Sequence, residues 1–509
     1  MKKIFNFRPV CLLFMSFVLG VAITLSFFMH KYWLGVVLIV LLGLSIASGI
    51  LRYKKQMLTK LFCGLLLVAF LFGVGTTCIT SEAYTNRNIP NGNYQISGRI
   101  TQCMGATQNG NYNYYLLEGV EVAGIHLSGR ATCFINTKYD YGFNVGDRII
   151  CTANVDTLKL NDVAGYSSYR NNVKANLFVN DYVTVTVKSD RTISESVKIR
   201  IEKTLNANMN ERPASIFYAM ITGDTTRLDD DVNMTFRNVG IAHLLAVSGL
   251  HIGFLVLLLN HVLGLFKMKK VVHFSIISVL LFLYAFFCGF TPSVTRAMIM
   301  AIIALFAKLI GRQYDGISSL CLAGLVILLF KPLYILDRGF LLSFFAVFAI
   351  LTLMPVIEDC LKRSFNKGIS SAIALVLSAQ LGILPLCILF FNNLSLLTVL
   401  ANMVLVPLAS LAYMLVFAML VIVTIIPSAG IILQMPAFLI EGVFVVAGFF
   451  GKIGLSAVNI GSQGIMAVPY YSALPLCGDL SFIERRRKWW LFASAIAVYF
   501  LLILIYNLV

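Results

Sequence analysis

Hydrophobic residues form long runs along most of this chain, and the runs predict membrane-spanning helices. A span needs about 20 mainly apolar residues at a rise of ~1.5 Å each. Shorter or proline-interrupted runs cover 317–330 and 466–483, and runs of spanning length cover 10–29, 33–51, 58–80, 240–266, 271–290, 369–391, 431–450 and 489–508. The pattern predicts a polytopic α-helical membrane protein with roughly 10–12 transmembrane helices, some of them broken.

Between residues 91 and 190 the long runs give way to short segments in which apolar and polar residues alternate, as in "YQISGRITQC" and "DYVTVTVK". This alternation, bounded by Gly, Asn and Asp, predicts short strands and a small barrel of OB type. Such barrels often bind oligonucleotides through aromatic side chains and basic grooves. The candidates here are either nucleotide-binding or ordinary strand residues: Arg99, Tyr112, Tyr114, Tyr115 and Arg130.

These patterns divide the chain into five segments. Residues 1–90 hold the N-terminal transmembrane helices, 91–190 an inserted OB-like β-domain, and 191–225 an amphipathic helix and linker. Residues 226–452 form the main transmembrane domain, and 453–509 a C-terminal amphipathic or transmembrane segment.

Composition and charge support this membrane assignment. The chain is 59% hydrophobic and 12% charged, with a mean hydropathy of +0.84, which excludes an ordinary soluble protein. Its net charge is +17, and the Lys and Arg residues cluster in short loops. The positive-inside rule therefore predicts a cytoplasmic N-terminus and an extracytoplasmic β-domain. Part of the positive charge serves orientation rather than affinity for nucleic acid.

Cysteine usage is informative only in the β-domain. Most of the eleven cysteines lie in apolar runs, where cysteine acts as a small hydrophobe. Cys103, Cys133 and Cys151 lie in polar sequence and allow at most one disulfide among them. Because the first and fourth strands of an OB fold can be neighbours, we predict a disulfide between Cys103 and Cys151, with Cys133 free.

The segment 240–266, "GIAHLLAVSGLHIGFLVLLLNHVLGLF", carries candidate chemistry at membrane depth. Its first half contains His243, Ser248, Gly249 and His251, where a lipid-facing helix would carry Leu or Val. A broken helix fits this pattern, and non-helical backbone at that depth must face protein or a water-filled path. The alternative is structural, with the histidines bonded to neighbouring helices and the Ser-Gly pair allowing close packing.

Further polar residues interrupt later apolar runs. Arg296 lies about one turn into a helix opened by Pro292, and a buried guanidinium is costly unless it meets water, a partner or an anion. We predict that Arg296 faces an interior path, the alternative being an ion pair with Asp337. Asp337 and Arg338 start another span as ion-pair or path residues, and Gln380 and Asn402 lie within spans as path candidates.

Four motifs in order, "HLLAVSGLHIG", "GFTPSVTRA", "DRGFLLSF" and "AQLGILPL…ANMVLVPLAS", resemble the competence region of the ComEC family. The β-domain segments "VGDRIICTANV" and "GYSSYRNNVKANLF" resemble that family's N-terminal extracytoplasmic domain, although Tyr166 and Ser167 replace its usual Phe-Asp. The resemblance implies a bacterial cell-membrane channel that carries single-stranded DNA inward during natural transformation. Residues 226–452 would then be the competence-type channel domain.

The resemblance also implies partners, with one departure from the family. Many members carry a metallo-β-lactamase-like domain with an HxHxDH zinc cluster, and none of the six histidines here has that spacing. We therefore expect no catalytic residue, metal or cofactor, and a separate nuclease if one strand is degraded. The other expected partners are single-stranded DNA, membrane lipid, an extracellular DNA receptor, a cytoplasmic translocation ATPase and further copies of the chain.

Two alternatives from other functional classes stay open. One is an intramembrane metal-dependent enzyme using His243, His251 and Asp224, although a spacing of eight residues between the histidines does not match the i, i+4 zinc pattern. The other is a transporter of a different polyanion or of a lipid.

Overall fold

A computed structural model gives the fold of this protein over most of its length. It describes residues 8–28, 57–85, 91–106, 111–127, 129–139, 142–157, 173–187, 192–391, 393–394, 398–452, 458–459 and single residues or short stretches between 467 and 503. The chain forms two compact units. The first, here the β-unit, comprises Leu12–Arg200 and Leu325–Asp337; the second, the helical unit, comprises Met1–Cys11, Ile201–Gly324 and Arg338–Val509.

Two apolar helices precede the barrel, α1 (Pro9–Phe28) and α2 (Met57–Thr85), and they confirm the first and third predicted spans. Glycine sets their close approach. A Cβ at Gly20 would overlap the carbonyl oxygen of Phe70, and one at Gly73 would overlap that of Phe17. Small residues at such crossings let helix backbones touch. The predicted span 33–51 lies outside the described residues.

The β-domain is a closed five-stranded barrel, as the alternating pattern predicts. Its strands are β1 (Gly92–Ala106), β2 (Tyr112–Val122), β4 (Arg130–Asn136), β5 (Arg148–Thr157) and β6 (Val173–Val187), with a short β3 (Ile125–His126) at the edge. The order β1-β5-β6-β4-β2 closes through pairing of β2 with β1. All barrel pairings are antiparallel except that of β4 with β6.

Inward-facing apolar side chains fill the barrel, including Ile100, Leu117 and Val155, each fully buried. The register also corrects the disulfide prediction. Cys151 lies opposite Ile96, seven positions along β1 from Cys103, so the two thiols are far apart and form no disulfide. The thiol of Cys133 is hydrogen-bonded to that of Cys151 instead. The error came from pairing strands by neighbourhood without their register.

The remaining helices confirm the predicted helical fold. In chain order they are α3 (Ile193–Asn208), α4 (Glu211–Thr222), α5 (Asp230–Val239), α6 (Gly249–Gly264), α7 (Lys270–Phe287), α8 (Pro292–Leu309), α9 (Gly316–Phe330), α10 (Arg338–Leu361), α11 (Lys367–Phe391), α12 (Thr398–Ile425) and α13 (Gln434–Lys452). Over the described ranges, eight helices are long and apolar enough to span a membrane, and α6 and α9 are shorter apolar helices. The chain is a multi-pass membrane protein.

The run 240–266 is broken, as the sequence pattern predicts, because α6 begins only at Gly249 and has 16 residues. Helix α12 continues through Pro407. Strand β7 (Asn393–Leu394) pairs with β8 (Val458–Asn459) of the C-terminal segment. The predicted span 489–508 lies mostly outside the described residues.

Candidate functional site

The candidate site is built on the break between α5 and α6, which the sequence pattern predicts. Helix α5 ends at Gly240, whose φ of 82° is left-handed and is favoured by a residue without a Cβ. A short 3-10 turn, Ala242–Leu244, follows. Ser248 then has extended backbone, with φ −110° and ψ 168°, and α6 starts at the next residue. The break therefore leaves the first N–H groups of α6 without intrahelical acceptors.

His251 fixes the start of α6. Its Nδ1 accepts a hydrogen bond of 3.1 Å from the backbone N–H of Ser248, which places the proton of the neutral ring on Nε2. The ring is fully buried, and no described residue accepts a hydrogen bond from Nε2. His251 thus acts as a helix cap through one nitrogen and presents a donor through the other.

A buried tyrosine pair supports His251, and the sequence analysis missed it. The Tyr413 ring of α12 lies 4.2 Å from the His251 ring, centroid to centroid. The Tyr413 hydroxyl is 3.1 Å from that of Tyr284 in α7, and Tyr284 donates to the carbonyl of Ile221 in the last turn of α4. Tyrosine in an apolar run is common at membrane interfaces, so composition alone does not single out these two.

The side chain of Arg296, from α8, also lies at the start of α6. Its side chain is buried, with 6% of its surface exposed, and Nη1 donates to the backbone carbonyl of Ser343 in α10 at 2.7 Å. Its Nη2 lies against Gly249, where any Cβ would overlap it. Within the described part of the helical unit, no carboxylate pairs with Arg296 and nothing accepts from its Nε.

The electrostatic character of this arrangement is cationic. A helix N-terminus carries roughly half a positive elementary charge. At the start of α6 it lies beside a full positive charge on Arg296, whose only described hydrogen-bond acceptor is a neutral carbonyl. Ser248, Gly249, His251 and Arg296 therefore form one cluster, here called the α6 cluster.

The family model for competence proteins matches residues 220–482, a range that contains the whole α6 cluster. The chain belongs to the competence protein family. This competence family protein is 30% identical over 217 residues to ComE operon protein 3 of Bacillus subtilis, a match covering 42% of this chain and 27% of the relative. It is 30% identical over 242 residues to Recombination protein 2 of Haemophilus influenzae, covering 44% and 31% respectively.

An uncharacterized protein of Aquifex aeolicus is 32% identical over 210 residues, covering 41% of this chain and 48% of that protein. The chain thus spans less than half of the length of each of these relatives. No solved structure matches the chain.

The other predicted path residues of this competence family protein are His243, Gln380 and Asn402. His243 is exposed on its 3-10 turn, and Gln380 is half-buried on α11. Asn402 is buried on α12, and nothing in the described part of the chain bonds its Oδ1. It is on the same face of α12 as Tyr413 but ~16 Å along the axis, at 1.5 Å per residue. Their place on a shared path stays a prediction.

Arg338 is the first residue of α10, and Asp337 directly precedes it. The guanidinium of Arg338 lies 5.5 Å from the centre of the Phe390 ring, a cation–π contact within the helical unit. Asp337 donates its backbone N–H to the carbonyl of Tyr334. The ion pair of Asp337 with Arg296 stays the alternative to the predicted path-facing role of Arg296.

The alternative sites gain little support. Across the described ranges, no three His, Cys, Asp or Glu side chains group as metal ligands, and Asp224 is bonded to Thr226. In the barrel, Tyr115 belongs to the core and Arg99 pairs with Glu195 at 2.9 Å. Neither is therefore a free nucleotide-binding side chain.

The outer face of the barrel does carry an aromatic row, formed by Tyr114, Phe134 and Phe178 on β2, β4 and β6. Neighbouring ring centres are 5.8 and 4.9 Å apart with nearly parallel planes. The rings stack on one another, so their faces are largely occupied by their neighbours. This arrangement is typical of cross-strand packing that stabilises a sheet.

Proposed function

We propose that this protein takes part in DNA uptake and conducts single-stranded DNA across the cytoplasmic membrane, with the α6 cluster on its path. The observation that carries the proposal is the buried Arg296, held beside a helix N-terminus and bonded to a neutral carbonyl. A polyanion passing this point would meet two positive groups that have no resolved counter-charge among the described residues of the helical unit. Membership of the competence family supports a role in DNA uptake.

The distribution of charge favours the membrane domain as the part that attracts the polyanion. Residues 91–190 contain eight Lys or Arg and eight Asp or Glu, so the β-domain is close to neutral. The net charge of +17 therefore belongs to the rest of the chain. Loop charge also sets orientation, but Arg296 lies inside an apolar helix, where orientation does not require it.

The proposal includes a direction and partners. The N-terminus is cytoplasmic and the β-domain faces outward, where it receives the strand from an extracellular DNA receptor. A cytoplasmic translocation ATPase supplies the work of transport, and a separate nuclease removes the strand that does not enter.

Uptake by Arg296 variants tests the proposal. The gene is placed in a transformable strain lacking its own family member, and internalised DNA that resists external nuclease is measured. Arg296→Lys keeps the charge but loses the planar fork that binds phosphate through two hydrogen bonds, so we expect normal membrane levels and about tenfold less uptake. Arg312→Ala, an exposed arginine beyond the end of α8, is the matched control and should behave as wild type.

Normal uptake by a well-expressed Arg296→Ala variant would overturn the proposal. If Arg296 instead pairs with Asp337, Arg296→Ala should lower the membrane level, and adding Asp337→Ala should restore it.

A further inference from the structure

The α6 cluster has the components of an anion-binding site. Helix α6 has 16 residues, and in its first turn the N–H groups of Gly249 and Leu250 have no intrahelical acceptor. Arg296 lies beside this N-terminus. Only 6% of the Arg296 surface is exposed, and its Nε bonds to no described residue. The Nε2–H of His251 is a third donor without a resolved acceptor.

From this convergence we propose that the start of α6 and Arg296 together bind one tetrahedral phosphate oxyanion, either a phosphodiester of a nucleic acid strand or free phosphate. The first-turn N–H groups would donate to one oxygen and the guanidinium to others. Helix N-termini and arginine forks are the two protein groups best suited to phosphate. This inference rests on the proposed function only for the source of the phosphate, and the binding site itself does not depend on it.

Gly249 is the residue that allows the two groups to meet. It has no left-handed backbone that would require glycine, and it stands at the first position of α6. The space beside its Cα is filled by Nη2 of Arg296. A methyl group there would displace the guanidinium, which is the far end of the flexible Arg296 side chain. The helix would not be disturbed, since alanine favours helix more than glycine does.

Gly253 provides a matched control. It lies one turn further along α6, and a Cβ there would meet nothing within 4 Å. Gly253→Ala and Gly249→Ala therefore make the same chemical change on the same helix, and only the second reaches Arg296.

The experiment measures the thermal unfolding midpoint of the full-length protein in lipid nanodiscs. The ligands are inorganic phosphate against chloride at equal ionic strength, and a short thymidine oligonucleotide against its uncharged methylphosphonate analogue. We expect phosphate and the charged oligonucleotide to raise the midpoint with increasing concentration, because a ligand that binds only the folded state stabilises it. Gly253→Ala should retain the shift, whereas Gly249→Ala should bind about tenfold more weakly.

The outcomes separate the site from its function. A shift with phosphate but none with the oligonucleotide supports the site and assigns it to free phosphate. A shift of wild-type size in a folded Gly249→Ala or Arg296→Gln variant overturns the site, as does the absence of any shift in the wild type. Intact phosphate binding in a protein that takes up no DNA would remove the proposed function and leave the site standing.

Discussion

The hydroxyl oxygens of Tyr284 and Tyr413 lie 3.1 Å apart, and the bond from Tyr284 to Ile221 sets the direction of the hydrogen bond between them. Tyr284 gives its proton to the carbonyl of Ile221, an acceptor at the end of α4 that its own helix leaves unpaired. Tyr413 must therefore donate to Tyr284. The chain of donors runs from α12 through α7 to α4, and it holds the ring that packs on His251.

This hydrogen-bond direction predicts that Tyr284→Phe and Tyr413→Phe lower the free energy of unfolding by different amounts. Tyr284→Phe leaves both the Ile221 carbonyl and the Tyr413 hydroxyl unpaired, which should cost about 1–3 kcal/mol of stability. Tyr413→Phe removes a donor but leaves the bond from Tyr284 to Ile221 intact, so its cost should be about 1 kcal/mol or less. Thermal unfolding of the two variants in the same detergent checks the ranking. Equal costs would contradict the assigned direction.

We expect the main role of His251 to be capping the N-terminus of α6. His251→Asn keeps a side-chain acceptor near the Ser248 N–H, whereas His251→Ala loses both the acceptor and the ring beside Tyr413. We expect His251→Ala to lower stability by about 2 kcal/mol or more, and His251→Asn by less, since loss of an N-terminal cap typically costs ~1 kcal/mol and a ring-sized cavity adds to it.

His243 provides the comparison, because it is exposed on the preceding 3-10 turn. His243→Ala should leave the free energy of unfolding within about 0.5 kcal/mol of wild type, as is usual for exposed positions. A larger loss at His243 than at His251 would mean that the cap does not support the start of α6.

The sequence predicted the elements of the site better than their contacts. The break before Gly249 could be predicted because glycine, serine and histidine are unfavourable in a lipid-facing helix. That Arg296 would lie against Gly249 could not, since the two residues are 47 positions apart and belong to different helices. Helix packing decides such contacts, and hydrophobic periodicity gives only the face, not the neighbour.

The barrel shows the same limit. Alternation of apolar and polar residues predicted the strands, but the Cys103–Cys151 pairing required the register of β1 against β5, which bulges and loop lengths determine. The Tyr284–Tyr413 pair was missed for a related reason. Each tyrosine alone resembles an interfacial aromatic residue, and only the packed helices bring the two hydroxyl groups together.

Differences in local packing predict opposite effects of a glycine-to-alanine substitution at Gly382 of α11, which packs closely on α10, and at Gly442 of α13. A Cβ at Gly382 would overlap Ala349 and come within 2.8 Å of the Phe345 carbonyl oxygen, which is backbone and cannot move aside. Gly382→Ala should therefore cost about 1–3 kcal/mol through overpacking. Gly442→Ala on α13 meets nothing within 4 Å and should stabilise by about 0.5–1 kcal/mol.

Unfolding midpoints of both glycine variants in nanodiscs provide the measurement. Stabilisation by Gly382→Ala would show that α10 and α11 are further apart than in this structure. A loss at Gly442 would indicate that its exposed face meets another protein surface, such as a second copy of the chain.

The last prediction concerns the barrel thiols. The hydrogen bond to the Cys151 thiol, together with complete burial, raises the pKa of Cys133 well above its ordinary value. Only the thiolate is nucleophilic, so Cys133 should resist alkylation in the folded, reduced protein at pH 8, where half-buried Cys103 reacts first.

Unfolding frees the Cys133 thiol to ionise at its ordinary pKa of about 8.5, while the folded barrel keeps the proton. The folded state then binds more protons than the unfolded state, so this contribution to stability is complete below that pH and falls as the pH rises above it. Peptide mass spectrometry after timed labelling, with and without denaturant, measures the reactivity, and Cys103→Ser removes the fast background. Rapid labelling of Cys133 in the folded protein, or barrel stability that increases from pH 8 to pH 10, would contradict the buried pair.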